Sequence, residues 1–207
     1  MLLAVRKDVS EEVVSRLKNA GIKTDIVEAG PISLFNAYMA TIGPAEGEVT
    51  AIINIGASAT DIVVEQEGQM RFSRSAPFAG NNLTDLIAER FKVDWSEAES
   101  LKIRPASEYS NIDGEGPTAV DVATVLEEGF DRIISDIRRS LDFHVSQPEA
   151  SPVTRVLLCG GTAHMEGAAE FLEDRLGVPV ALADFTSSEV LDWSAVNKEN
   201  YRGEGVL

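Results

Sequence analysis

One cysteine, Cys159, and two histidines, His144 and His164, are all that 207 residues offer of thiol or imidazole chemistry. A lone thiol excludes an intramolecular disulfide, and no zinc cluster, catalytic cysteine arrangement or nucleophile elbow can be read around these residues. Basic residues are also scarce: 18 Lys and Arg stand against 34 Asp and Glu, a net charge of −16. Nucleic acid and anionic membrane surfaces require a basic patch, so neither is expected as a direct partner, whereas an acidic surface favours basic ones. No apolar run approaches the roughly 18–20 residues of a membrane span. The start, Met1 to Lys7, places its charges after a short apolar run, the reverse of a secretory signal. A reducing, cytoplasmic setting without direct membrane insertion is therefore expected.

What the chain does have is an ordinary globular composition, 44% hydrophobic and 25% charged, with length enough for a sizeable core. Two segments stand out: Ala51-Ile52-Ile53-Asn54-Ile55-Gly56-Ala57-Ser58-Ala59-Thr60-Asp61 and, far downstream, Val156-Leu157-Leu158-Cys159-Gly160-Gly161-Thr162-Ala163. Each is an apolar run ending in small residues, which is how a buried strand delivers backbone to a ligand edge. Glycine there permits positive φ and lets N–H groups approach an anion or a flat ring with no Cβ in the way, which is nucleotide-site chemistry. Either segment alone also fits a tight turn at any strand-to-helix junction. Residues 62–66 and 70–74 read as a hairpin turning at Gly68. The first loop thus leads into a strand, which argues against Rossmann and P-loop folds, whose glycine-rich strand passes directly into a helix.

Residues 2–5 and 23–27 read as strands around a helix that opens at Val9-Ser10-Glu11-Glu12, with Ser10 as its cap, and ends at Gly21. A second apolar helix covers 31–40, and Gly43-Pro44-Ala45-Glu46-Gly47 has the composition of a linker. Residues 111–116 read as a solvated loop whose Asp-x-Gly run lacks the calcium-loop pattern. The longest amphipathic helix is predicted over 120–144, with Val122, Val125, Phe130, Ile133, Ile134 and Ile137 in its core stripe. Glu99 and Lys102 fall on one helix face, the spacing of a surface ion pair. Cys159 ends an apolar strand and reads as a buried small hydrophobe, and His164 as a helix-start residue.

The order of strand, small-residue loop and hairpin is followed by a helix opened by Phe78-Ala79-Gly80-Asn81-Asn82-Leu83-Thr84 and later by a strand ending in Gly160-Gly161-Thr162. This order resembles one half of the actin-like ATPase fold, an α/β, ribonuclease H-like architecture. Within that superfamily, residues 54–60, 78–84, 157–163 and Glu97-Ala98-Glu99-Ser100-Leu101-Lys102 resemble the PilM family of type IV pilus assembly, with the cell-division protein FtsA as a relative. The resemblance implies mainly the second domain of that fold: residues 49–77 and 117–185 as subdomain 2A, and 78–116 as subdomain 2B. Residues 1–42 become a remnant of the first domain, a 1C-like βαβ piece and one helix, and residues 186–207 a polar C-terminal tail. The family's first phosphate loop, on an Asp-Ile-Gly strand, has no counterpart here, so the chain reads as a fragment or a natural short form.

The same resemblance implies half of a site for ATP and Mg, cofactors of the complete protein and not of this chain alone. The amides of Gly56, Ala57 and Ser58 and the hydroxyls of Ser58 and Thr60 would hold a phosphate, with Gly80 opening the helix beside them. Glu99 and Lys102 would grip ribose and the adenine edge, and Gly160, Gly161 and Thr162 would form the opposite wall, with Gly161 at positive φ. Asn54 stands where the family carries Asp, and an amide cannot supply the charge that organises a metal ion; no catalytic or metal-ligating residue is assigned. Asp61 would substitute only if it faces the loop. The implied function is a cytoplasmic adaptor of the inner-membrane assembly platform. Its partner would be the cytoplasmic N-terminal segment of a PilN-like inner-membrane protein, docking near 1C and recruiting it to the membrane. An open sheet edge at 2–5 or 23–27 would also permit a homodimer. The alternatives are an ATPase or kinase of the same superfamily and an FtsA-like cell-division adaptor; the latter needs a basic amphipathic C-terminal helix, which Lys198 and Arg202 alone do not make.

Overall fold

A computed structural model describes residues 6–109 and 116–187. Helix α1 spans Lys7–Asn19 and α2 Gly30–Thr41; strands β1, β2 and β3 follow at Val49–Ile55, Thr60–Gln66 and Gln69–Ala76. Helices α3, α4 and α5 occupy Gly80–Phe91, Trp95–Ile103 and Ala119–Val145, and β4, α6 and β5 occupy Arg155–Cys159, Ala168–Leu176 and Val180–Leu182. The five strands form one sheet in the order β3-β2-β1-β4-β5, with β1, β2 and β3 antiparallel and β1, β4 and β5 parallel.

Both faces of this sheet are covered, which is why β1 and β2 are buried almost throughout instead of alternating. On one face Ile53, Ile55, Ile62 and Leu158 pack against Phe130 and Ile137 of α5. On the other, Ile52, Val63 and Leu157 pack against Tyr38 of α2. The N-terminal end of α5 continues past the sheet, and its Val122 and Val125 hold α3 and α4 through Ile87, Ala98 and Leu101. Residues 78–109 thus form a small helical lobe hung on the helix that also floors the sheet. Local signals set the helix starts here: Thr118 and Asp121 form a capping box on α5, and Asp94 accepts the Glu97 N–H at the start of α4.

The hairpin forms where Gly68 predicts it, and both turn residues, Glu67 and Gly68, lie at positive φ (56° and 74°), the two-residue turn whose twist suits flanking strands. Glu65, fully buried on β2, accepts from the Gly68 N–H at 2.6 Å and from the Tyr38 hydroxyl at 3.1 Å. This buried carboxylate ties α2 to the hairpin. Tyr38→Phe leaves one of its oxygens short of a donor, and is expected to lower stability by about 1–3 kcal/mol. Urea denaturation should show a lower midpoint with an unchanged m-value.

The N-terminal segment departs from the expected βαβ piece. Residues 23–27 form no strand, and Ile22, Ile26 and Val27 are 53%, 77% and 52% exposed. A strand needs a partner to satisfy its backbone, and no other described strand pairs with this stretch. The edge expected to accept a peptide or a second copy is therefore not formed at 23–27, and residues 2–5 lie outside the described residues, as do most of the 111–116 loop and 188–207 of the tail. Helix α1 buries no residue. It begins three residues before Ser10, whose hydroxyl donates to the Lys7 carbonyl within the first turn instead of capping it.

Candidate functional site

Strands β1 and β4 run parallel with Asn54 opposite Cys159, so both deliver their small-residue loops, 56–59 and 160–163, to the same sheet edge. In α/β sheets the carboxyl ends of neighbouring strands are where ligands bind. The first loop is closed by the Gly56 N–H donating to the Ala59 carbonyl at 3.0 Å. Its carbonyls are held from behind: Gly80 N–H donates to Gly56 at 3.0 Å and Asn81 N–H to Ala57 at 2.7 Å, while the Thr162 hydroxyl donates to Gly56 at 3.3 Å. In a trans peptide the N–H points opposite to the preceding C=O, so the Ala57 and Ser58 N–H groups are aimed away from α3. Ala57 and Ser58 are exposed, and their two successive amides form a concavity suited to an anion.

Gly80 is required by this closeness, since a Cβ there would sit 2.5 Å from the Thr162 hydroxyl and 3.1 Å from the Gly56 carbonyl. The hydroxyl of Thr60 is not available to a phosphate as expected. It is fully buried and donates to the Phe78 carbonyl at 2.7 Å, because Thr60 shares the α5 side of β2 with Ile62 and Val64. Ser58 remains the one exposed hydroxyl of the loop.

Asn54 sits at the end of β1 with its amide Nδ2 donating to Asp61 at 3.4 Å, across the β1–β2 register that pairs the two residues. Asp61 is buried and turned toward the start of α2, where its Oδ2 lies 2.9 Å from the place a Gly30 Cβ would occupy. Its side-chain contacts are thus with Asn54 and the start of α2, and no hydrogen bond from it to the 56–59 loop is present among the described residues. Among the described residues no three His, Cys, Asp or Glu side chains come together as a metal site. The strand end beside the loop thus presents a neutral amide, Asn54, hydrogen-bonded to the carboxylate of Asp61.

The second loop differs from expectation in which glycine carries the strain. Gly160 has φ 92°, and Gly161 does not lie at positive φ. A Cβ at Gly160 would meet Asn54 Oδ1 at 2.3 Å and the Ile55 carbonyl at 2.5 Å, whereas one at Gly161 meets nothing within 4 Å. Adjacent glycines look alike in a sequence; the parallel strand beside them decides which has no room. His164 closes the 3-10 turn Gly161–His164 and does not start a helix, since α6 opens only at Ala168.

A cleft of about 600 Å³ runs between α4 and this turn, with Lys102 and Gly161 in its lining and Val122, Leu126 and Met165 supplying apolar wall. Its size and mixed lining are those of a small-molecule site. Arg104, Tyr109 and Glu166 were not legible as site residues. The Arg104 guanidinium lies 5.1 Å above the Tyr109 ring, and Glu166 accepts the Ala106 N–H at 3.1 Å, bridging the two walls. They come from separate segments with no spacing pattern to join them.

Glu99 and Lys102 are not the exposed pair their spacing alone suggests. The Lys102 side chain is 7% exposed, and its ammonium donates to Glu99 Oε2 at 2.6 Å, Thr84 Oγ1 at 2.9 Å and the Gly80 carbonyl at 3.3 Å. Burial pushes the Glu99 carboxyl up, but hydrogen bonds from Lys102 and Thr84 and the Lys102 charge outweigh it and hold the group below its ordinary range. That stabilisation is complete above the unfolded carboxyl pKa of about 4.3 and is lost as pH falls through the lowered folded value.

Cys159 is buried, and desolvation, with the Asp61 charge adding to it, pushes its thiol up to about 12. The native chain is expected to resist a thiol reagent at pH 8 and to react fully once unfolded in guanidinium; rapid native labelling would show the β4 end to be open.

Comparison with known proteins fits this geometry. The model of the type IV pilus assembly protein PilM family matches residues 1–203. The chain belongs to that family. Among solved structures, a chain of the PilM-PilN type IV pilus biogenesis complex superposes with a TM-score of 0.80 at 21% identity, covering 97% of this chain and 55% of that one. MreB5 of Spiroplasma citri bound to ADP superposes at 0.63 with 21% identity, over 88% of this chain and 62% of that one. The cell-division protein FtsA of Pseudomonas aeruginosa is 27% identical over 202 residues, which is 86% of this chain and 47% of that protein. The fold is therefore the actin-like ATPase fold, and this PilM-family chain spans about half the length of the curated relatives it matches.

Proposed function

We propose that this PilM-family chain is the second-domain body of an actin-like adaptor of the type IV pilus inner-membrane assembly platform, and that its cleft takes an adenine nucleotide. In this division residues 49–77 and 117–185 are subdomain 2A, 78–116 is 2B, and 1–42 belongs to the first domain. The adenine would lie in the cleft between α4 and Gly161, and Glu99 Oε1, the oxygen its neighbours leave, would accept from a ribose hydroxyl. The phosphates would meet the Ala57 and Ser58 amides. The observation that supports the adaptor reading over an ATPase or kinase is Asn54: its amide holds Asp61 and offers no negative charge where phosphoryl transfer needs a metal ion organised.

The partner fitting this reading is the cytoplasmic N-terminal segment of a PilN-like inner-membrane protein, which would recruit the adaptor to the inner membrane. Acidic bodies attract basic segments, and the chain carries −16. The experiment is a titration of a fluorescent peptide of that segment against this chain and against the chain joined to a complete first domain. Binding by the joined form supports the adaptor. Absence of binding by both forms, with rapid ATP turnover by the joined one, would move the assignment to an enzyme.

A further inference from the structure

We propose that Glu99, Thr84 and Lys102 form a positioning lock that sets the anion-binding loop from behind, through Gly80. The three groups close on one another: the Thr84 hydroxyl donates to Glu99 Oε2 and accepts from the Lys102 ammonium, which also donates to that same carboxylate oxygen. The ammonium's remaining contact is the Gly80 carbonyl at 3.3 Å, in the first turn of α3. The Gly80 N–H, on the same residue, donates to the Gly56 carbonyl, and the next amide, Asn81, donates to Ala57. A pull on Gly80 is therefore a pull on the two carbonyls whose orientation aims the Ala57 and Ser58 amides.

Burial gives the lock its strength. Lys102 is the one lysine among the buried residues of the described chain, and a buried ammonium short of acceptors is costly, so burial favours its keeping the Gly80 carbonyl as third acceptor. The cleft wall and the loop are joined a second way, since Thr162, next to the cleft residue Gly161, donates to the same Gly56 carbonyl. Lys102, which also lines the cleft, thus acts on the loop through Gly80, and the gain it confers there on phosphate affinity rests on the nucleotide reading above.

The test separates the two. In the ligand-free chain, Thr84→Val and Lys102→Gln are expected to speed amide hydrogen exchange at Gly80 and Asn81 on the order of tenfold relative to Leu158 in β4, the effect of losing one hydrogen bond to a charged group. Thr84→Ser should restore protection, and Glu97→Gln on the exposed side of α4 should leave it unchanged. Pyrophosphate, followed at the Ala57 and Ser58 amide resonances, should bind several-fold more weakly to the first two variants and normally to the last two. Unaltered Gly80 and Asn81 exchange in Thr84→Val and Lys102→Gln, or exchange that rises equally at Leu158, overturns the lock. If neither the unmodified chain nor the chain joined to a complete first domain takes pyrophosphate, the nucleotide reading fails while the exchange result still decides the lock.

Discussion

Gly160→Ala is expected to lower stability by roughly 2–5 kcal/mol, and Gly161→Ala, one residue on, to be nearly neutral. The first puts a Cβ 2.3 Å from Asn54 Oδ1 and 2.5 Å from the Ile55 carbonyl, at a φ of 92° that L side chains rarely adopt. Neither neighbour can yield cheaply, because Ile55 is backbone of the central strand and Asn54 is bonded to Asp61. The second puts its Cβ into open space on the cleft wall. In a domain of this size the difference should appear as a melting temperature lower by roughly 5–15 °C for Gly160→Ala alone. Equal melting of the two variants would mean that the β1–β4 edge is not packed as described.

Asn54→Asp should cost about 1–3 kcal/mol at neutral pH, with a pH dependence opposite to that of an ordinary surface carboxylate. It replaces the amide now donating to Asp61 at 3.4 Å by a second carboxylate, and two such charges in one buried site raise the pKa of the pair. A folded value raised above the unfolded one, about 3.9, stabilises the protonated form. The variant should therefore match the parent near pH 4 and fall behind as pH rises through the raised folded value. Urea midpoints at pH 4.5 and 7.5 measure this: a deficit of the same size at both would rule out charge repulsion as its source. Millimolar magnesium narrowing the neutral-pH deficit would mark the Asp pair as a competent cation site, which the natural Asn54 avoids.

These two substitutions also mark where the sequence was readable. The strands around Asn54 and Cys159, the hairpin at Gly68 and the α5 stripe from Val122 to Ile137 follow from apolar patterning, because one chain segment carries all the information needed to place its own buried face. The ring of groups behind the loop did not follow. Thr60, Thr84 and Lys102 each bond to a partner 15 or more positions away, so no local pattern distinguishes a hydroxyl facing a ligand from one holding a carbonyl. Residues 23–27 failed for a related reason: their apolar content is real, but strand formation depends on a neighbour that local sequence cannot provide.

The sequence by itself determined the fold class, the order of the elements from β1 to β5, the family through its resemblance, and the two small-residue loops that end β1 and β4, since these reside in apolar patterning and motif order. Only the tertiary structure decided that Gly160 and not Gly161 is sterically obligatory, that Asp61 turns toward α2, and that Lys102 is spent inward on Gly80. The physical reason is that a side chain's chemistry becomes definite only when its acceptors and its share of water are fixed. For residues at a sheet edge both are set by segments remote in the chain, here β4 against β1 and α4 against α3.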